Sequence, residues 1–320
     1  MSMHIMREKM IIEKTALKED RYYSPLYYLN SARQGEELIL RHFVNAGEFI
    51  LLLPAYIGYS ANEGSGIYDP VVKLGIKHSF YRLNKDMSIN IDDLKSKLSK
   101  DSVQKIVLLV HYFGYPDNNI EDVVEVCRKH GSIIIEDAAH ALFSDYIDHK
   151  CGNYGDYVLY SIHKMLPYKS GGMLKVNNLE MDFENEFLLE KDLYMEYTGI
   201  YNYDFFEIAE KRKKNAKSWE ELLKNSRCDR ILPIKTGCND ITPQTYPVLI
   251  KGYDRTKLYF ELNEAGFGAV SLYHTMIKPI QEKFEDAVWL SKHIMNLPVH
   301  QDVRAGKIDR MFEKMMNLLK

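Results

Sequence analysis

The feature that most constrains this chain is a set of short apolar runs that are continuous rather than alternating. Residues 49–54 read FILLLP, residues 105–110 KIVLLV, residues 133–137 IIIED and residues 157–161 YVLYS. Side chains alternate sides along a strand, so a strand that is apolar at every position has both faces covered. Helical patterns lie between the runs. Asn90 caps a helix reaching about Leu98, and an amphipathic stretch from Asn119 to His130 closes at Gly131. Buried strands alternating with helices predict an α/β fold with a mainly parallel sheet between helical layers. In such sheets the ligand crevice lies beyond the carboxyl ends of the strands. The residues found there are Tyr56, His111, Asp137 and Lys164.

Residues 132–176 concentrate the chemistry: one apolar run ends in Glu136-Asp137, the next in Ser161-Ile162-His163-Lys164, and Gly171-Gly172 follows. A carboxylate at the end of a buried strand is partly desolvated and needs a positive or hydrogen-bonding partner. Lys164 at a neighbouring strand end supplies one, and two readings stay open. The pair is a structural ion pair, or a cofactor lies between its members. Pyridoxal phosphate requires a lysine for its aldehyde, an acid for its pyridine nitrogen, a phosphate cradle, and a ring against its face. Lys164 and Asp137 meet the first two needs. Ser31-Ala32-Arg33-Gln34 leading into a helix, together with Ser161, offers the cradle, and His140 or Tyr56 the ring.

The wording of the stretch is more specific. IIIEDAAHA, GNYGDYVLYSIHK and SGGMLKV, with HYFGYP from His111, KHG from Lys129, IYNY from Ile200 and LPVH from Leu297, resemble the DegT/DnrJ/StrS family of pyridoxal-phosphate-dependent nucleotide-sugar aminotransferases. The resemblance covers about residues 28–315. It implies a type I aminotransferase fold, with a seven-stranded sheet in the large domain. Lys164 would form the Schiff base and act as general acid/base, and Asp137 would pair with the pyridinium nitrogen. Ser161 and the backbone near Ser31, Ala32 and Arg33 would bind phosphate, and Asn202 would approach the cofactor of a second subunit in a homodimer. The chain departs from the family at His140, where glutamine is usual, and at Ser161-Ile162-His163-Lys164, which is two residues shorter than the usual spacing. The family's stacking aromatic falls near Gly58, leaving Tyr56 or Tyr59. The segment between Gly172 and Asn202, which shapes the substrate pocket in relatives, is short.

The implied reaction moves an amino group from an amino acid, glutamate being the expected donor, to a keto-sugar nucleotide, feeding a surface polysaccharide or a glycosylated metabolite. A sugar dehydratase of the same fold, and a non-catalytic binding or regulatory protein, are the alternatives. An intact Lys164 speaks against the first, and the Asp137–Lys164 pair against the second.

The rest of the chain sets the frame. A Glu- and Lys-rich helical pattern runs from Phe205 to Lys224. Strand-like stretches at 230–233 and 246–250 and helices at 253–265 and 307–319 follow it. This predicts a large domain over 1–215, with an N-terminal arm at 1–28, and a smaller α+β domain over 216–320. The arm reads as a short helix or extended segment against a partner surface. Lys211-Arg212-Lys213-Lys214 reads as a solvated helix face. With 42 basic and 45 acidic residues the net charge is −3, which gives no basis for a nucleic-acid or anionic-membrane partner. The four cysteines lack metal-ligand spacing, so free thiols and no metal are expected. No apolar run approaches the roughly 18 residues of a membrane span, and the charged N-terminus is unlike a signal peptide, so a cytoplasmic protein is expected.

Overall fold

A computed structural model of the chain describes residues 26–61, 64–178, 198–226, 228–235 and 240–319. The arm ahead of residue 26, the short segment at 179–197 and Cys238 lie outside the described residues. The apolar runs form strands, as their composition requires. Strands β1 (Leu26–Leu29), β2 (Phe49–Pro54), β3 (His78–Tyr81), β4 (Gln104–Val110), β5 (Ile133–Asp137), β6 (Tyr157–Ser161) and β7 (Gly172–Val176) make one sheet. Its order is β1-β7-β6-β5-β4-β2-β3. The five strands from β6 to β3 are parallel, while β7 runs antiparallel to both β6 and β1.

Helices α1 (Ala32–Ala46), α2 (Asp69–Lys73), α3 (Ile91–Leu98), α4 (Ile120–Lys129) and α5 (Leu142–Tyr146) connect the strands. Helix α1 lays Ile39, Leu40 and Phe43 on one face of the sheet, over Leu159 and Leu174. On the other face Leu94 and Leu98 of α3 and Val123 and Cys127 of α4 cover Leu52 and Val107. All of these side chains are buried, and each large aliphatic one contributes about 1.5–3 kcal/mol by leaving water. This is the α/β architecture with a mainly parallel central sheet that the continuous apolar runs predict.

Residues 26–29 depart from the expected arm. They form an edge strand of the chain's own sheet, with Tyr28 paired to Met173 and Leu29 to Gly172. The long helix α6 (Phe205–Ser226) then leads to a second, antiparallel sheet of β8 (Ile231–Pro233), β9 (Thr245–Ile250) and β10 (Ile294–Pro298). Helices α7 (Arg255–Glu264), α8 (Lys278–Lys283), α9 (Glu285–His293) and α10 (Lys307–Leu318) complete this part.

The basic cluster on α6 is not uniformly solvated. Arg212 is 1% exposed. It donates to Gln301 and to the carbonyls of Met165, Pro243 and Gln244, and it stacks over Phe143. Lys213 pairs with buried Asp148 at 2.6 Å. Both cations join the two sheets rather than facing water. Among the described residues no helix is long and apolar enough to cross a membrane.

Candidate active site

The site forms where β4, β5 and β6 end. Register sets it: Val110 lies opposite Asp137, and Asp137 opposite Leu159. The next residues of all three strands therefore emerge at one edge. Asp137 is 8% exposed and accepts the Ala139 N–H at 2.9 Å. Burial pushes its carboxyl above the ordinary range, while the Ala139 hydrogen bond, and Lys164 whenever its amine is protonated, pull it back. Asp137 and Lys164 thus share one electrostatic environment.

Lys164 follows β6 in a half-buried position, with its Nζ 3.0 Å from His140 Nε2. His140 is buried and sits between two rings, stacked on Phe113 (centroids 6.5 Å) and edge-on to Tyr273 (6.0 Å). Burial drives its imidazole well below the usual range, and the neighbouring lysine adds to the effect. Both effects favour the neutral imidazole.

The second half of the site is the start of α1. Ser31 is its N-cap and accepts the Gln34 N–H at 3.2 Å, while the Gln34 side chain accepts the Asn30 N–H at 2.9 Å. This reciprocal cap leaves the first-turn amides of Ala32 and Arg33 with no helical carbonyl to bond, the usual condition for anion binding. Gly172 explains the glycine pair. Leu29 and Ser161 both pair with it from opposite sides. A Cβ on Gly172 would lie 2.3 Å from the Ala32 nitrogen and from the Ser31 carbonyl carbon. Gly171 takes a positive φ of 121° to make the approach. The buried Ser161 is thereby aligned across β7 with the first turn of α1. Its hydroxyl lies 3.3 Å from His163 Nδ1.

Arg33, at the same helix end, pairs with Asp69 at 3.2 Å. Tyr56 is fully buried and meets Tyr112 and Tyr273 edge-on or tilted, so Tyr273 stands between it and His140. Asn202 lies at the exposed end of a short 3₁₀ turn whose Ile200 packs with Ile162 and Met165 on either side of Lys164. An anion-binding helix end, a buried acid, a lysine and a ring-flanked imidazole form one donor set. It suits a phosphorylated pyridine aldehyde, so the residues present fit pyridoxal phosphate.

Sequence reasoning missed several contributors. Glu136 is completely buried beside Asp137 and accepts from His111 Nε2 (2.8 Å) and from the N–H groups of Gly152 (2.8 Å), Tyr154 (2.8 Å) and Gly155 (2.6 Å). Burial works to raise its carboxyl, but His111 and these amides outweigh it and hold the group below its ordinary value. Tyr273 enters from the C-terminal half because residues 57–59 pair with residues 275–277: Ile277 N–H donates to the Ile57 carbonyl at 3.0 Å and Tyr59 N–H to that of Thr275 at 2.8 Å. Gly58 belongs to this contact, since a Cβ there would meet the Tyr273 ring at 3.0 Å. Glu36 lies on the buried face of α1 with its Oε1 unbonded. Its position one turn into α1, in line with the apolar stripe of Ile39, Leu40 and Phe43, was a signal in the sequence.

Comparisons with known proteins give three kinds of likeness. The model of the DegT/DnrJ/EryC1/StrS aminotransferase family matches residues 66–194. An uncharacterised protein of Methanocaldococcus jannaschii is 24% identical over 72% of this chain and 70% of its own length. A UDP-4-amino-4,6-dideoxy-N-acetyl-beta-L-altrosamine transaminase of Campylobacter jejuni is 26% identical over 48% of this chain, a stretch that spans 39% of that enzyme. The structure of a putative sugar aminotransferase from Streptococcus pneumoniae in its PLP form superposes with a TM-score of 0.74. It is 16% identical, over 92% of this chain and 87% of that one.

Proposed function

We propose that this chain, which belongs to the DegT/DnrJ/EryC1/StrS aminotransferase family, moves an amino group from an amino acid to a keto-sugar carried on a nucleotide, with pyridoxal phosphate as cofactor. The observation that carries the reading is a single arrangement. Asp137 at the end of β5 and Lys164 just after the neighbouring β6 stand at one edge of the sheet, with Lys164 Nζ 3.0 Å from His140 Nε2, while the start of α1 is drawn against Gly172, the first residue of β7 and the partner of Ser161 at the end of β6.

In this reading the Ala32 and Arg33 amides and the Ser161 hydroxyl hold the phosphate. Asp137 holds the ring nitrogen, and His140 lines the ring. The bound cofactor supplies an electron sink at the substrate's amine-bearing carbon. Lys164 would anchor the cofactor, and its free amine would move the proton at that carbon through Nζ. Phe113, Tyr273 and Tyr56 form an apolar wall that keeps water from Asp137 and His140.

A nucleotide-sugar acceptor is supported by what the Campylobacter relative is named for. Glutamate as donor and a homodimer with Asn202 serving the second subunit belong to the same reading. So do a division into parts over 1–215 and 216–320 and a cytoplasmic location. Purified protein should be yellow or turn yellow with added pyridoxal phosphate. The colour should be discharged by borohydride, be absent in Lys164→Ala, and bleach on addition of glutamate. A protein that stays colourless with added cofactor overturns the reading.

A further inference from the structure

The geometry points to His140 as the residue that holds Lys164 as an uncharged amine, by donating its Nε2–H to Nζ. The argument begins at the turn after β4. Phe113 has a φ of 60° and Gly114 a φ of 89°, and a non-glycine residue in the left-handed region is uncommon and costs energy. The turn is locked on two sides. The Phe113 carbonyl accepts the Gln244 N–H at 2.7 Å, and a Cβ on Gly114 would meet the His140 carbonyl oxygen at 2.9 Å. Its product is one N–H aimed at an imidazole, from Phe113 to His140 Nδ1 at 3.3 Å.

A backbone amide only donates, so Nδ1 must accept and carries no proton. A neutral imidazole then bears its proton on Nε2. That N–H lies 3.0 Å from Lys164 Nζ. An ammonium group has three donors and no acceptor, so a charged Lys164 would set N–H against N–H. The contact is a hydrogen bond only when Nζ presents a lone pair.

The other groups around the pair bear on the balance. Asp137 favours the charged lysine and is itself pushed towards its neutral form by burial. His111 is spent on Glu136 at 2.8 Å. Tyr273 and Phe113 pack their rings on His140, and the resulting burial favours the neutral imidazole. His163, next in sequence to Lys164, engages Ser161. The uncharged amine is the form that attacks an aldehyde, so the purpose of the device rests on the proposed function, but its test needs no cofactor.

The experiment is competitive acetylation of cofactor-free, folded protein with trace acetic anhydride across pH 6–9, read by mass spectrometry of the Lys164 peptide. Exposed Lys292 serves as the internal standard. Labelling of an ordinary exposed lysine amine rises about tenfold per pH unit in this range. Labelling of Lys164 should exceed it at pH 7 and change far less with pH. His140→Leu should return Lys164 to the profile of the standard, and His140→Gln, whose amide also donates, should restore the flat profile. If the variants do not fold, nitrogen NMR of His140 in the wild-type protein decides, with a proton expected on Nε2 and none on Nδ1. A Lys164 profile parallel to Lys292, a profile unchanged by His140→Leu, or a proton on Nδ1 overturns the inference. Because no arm depends on colour or turnover, failure here is distinct from failure of the proposed function.

Discussion

Gly172 and Ala32 stand closer than any side chain would permit: a Cβ on Gly172 would lie 2.3 Å from the Ala32 amide nitrogen. That closeness holds the open first turn of α1 against the end of β6. In Gly172→Ala the strand and helix must separate, at a cost of about 1–3 kcal/mol. The first-turn amides would move from Ser161, so cofactor should dissociate at least about tenfold faster, a loss of ~1.4 kcal/mol of binding. Gly131→Ala is the control. Gly131 has a positive φ of 63°, unlike Gly172, but nothing within 4 Å of its Cβ position. That variant should lose about 1 kcal/mol of stability and retain cofactor normally. Equal cofactor loss in both would remove the special role of the Gly172 approach.

Glu136 gives a second prediction. Its two oxygens take four donors, one from His111 and three from the 152–155 turn. Glu136→Gln replaces one accepting oxygen by an NH2 group and leaves buried N–H groups facing N–H groups. A loss of about 3 kcal/mol is expected, read as a lower urea midpoint. The neighbouring Asp137 would lose its fixed backbone, so cofactor affinity should fall together with stability.

The parts of the fold that the sequence made legible are those whose physics is local. β2, β4, β5 and β6 are buried on both faces, so their apolar runs needed no partner to be read. β1 and β10 were not read as strands. LYYL is rich in tyrosine at a sheet edge, and Ile294–Pro298 is too short to show a period. Arg212 was misread because four adjacent basic residues suggest a wet face. Yet Ala209, Arg212, Ala216, Trp219 and Leu223 are the buried positions of α6, a three-to-four spacing that already put Arg212 on the apolar stripe. Within the site, Asp137 and Lys164 sit at strand ends and were accessible to pattern. Phe113 and Tyr273 were not, since a strained turn and a cross-chain loop pairing set their positions.

Glu36 predicts an inverted pH response. Its carboxyl is 1% exposed with Oε1 unbonded. Burial, reinforced by Asp137, holds it well above its ordinary 4.5, against a smaller opposing pull from Arg33. The folded state therefore binds this proton more tightly than the unfolded chain. The stability it contributes is present below pH 4.5 and is lost as pH rises towards the folded value. Glu36→Gln should be close to neutral at pH 4.5 and more stable than wild type at pH 8, by thermal denaturation at both. A variant equally destabilised at both values would mean that the carboxylate is charged and has a partner.

Asn202 is exposed between Tyr201 and Tyr203, with Phe206 one turn on, and these three rings are 53%, 36% and 66% exposed. Exposed rings grouped around a polar residue mark a contact surface. Under the homodimer reading this surface packs on a second copy and delivers Asn202 to the neighbouring cofactor. Phe206→Asp should then shift the protein to half its mass in sedimentation and weaken cofactor binding. Asn202→Ala should keep the dimer and weaken cofactor binding alone, by about 1–2 kcal/mol for one lost hydrogen bond to a charged group. The two variants separate assembly from contact. Were Phe206→Asp to leave mass and affinity unchanged, the second subunit would have to approach from another face, and Asn202 would have no part in the site.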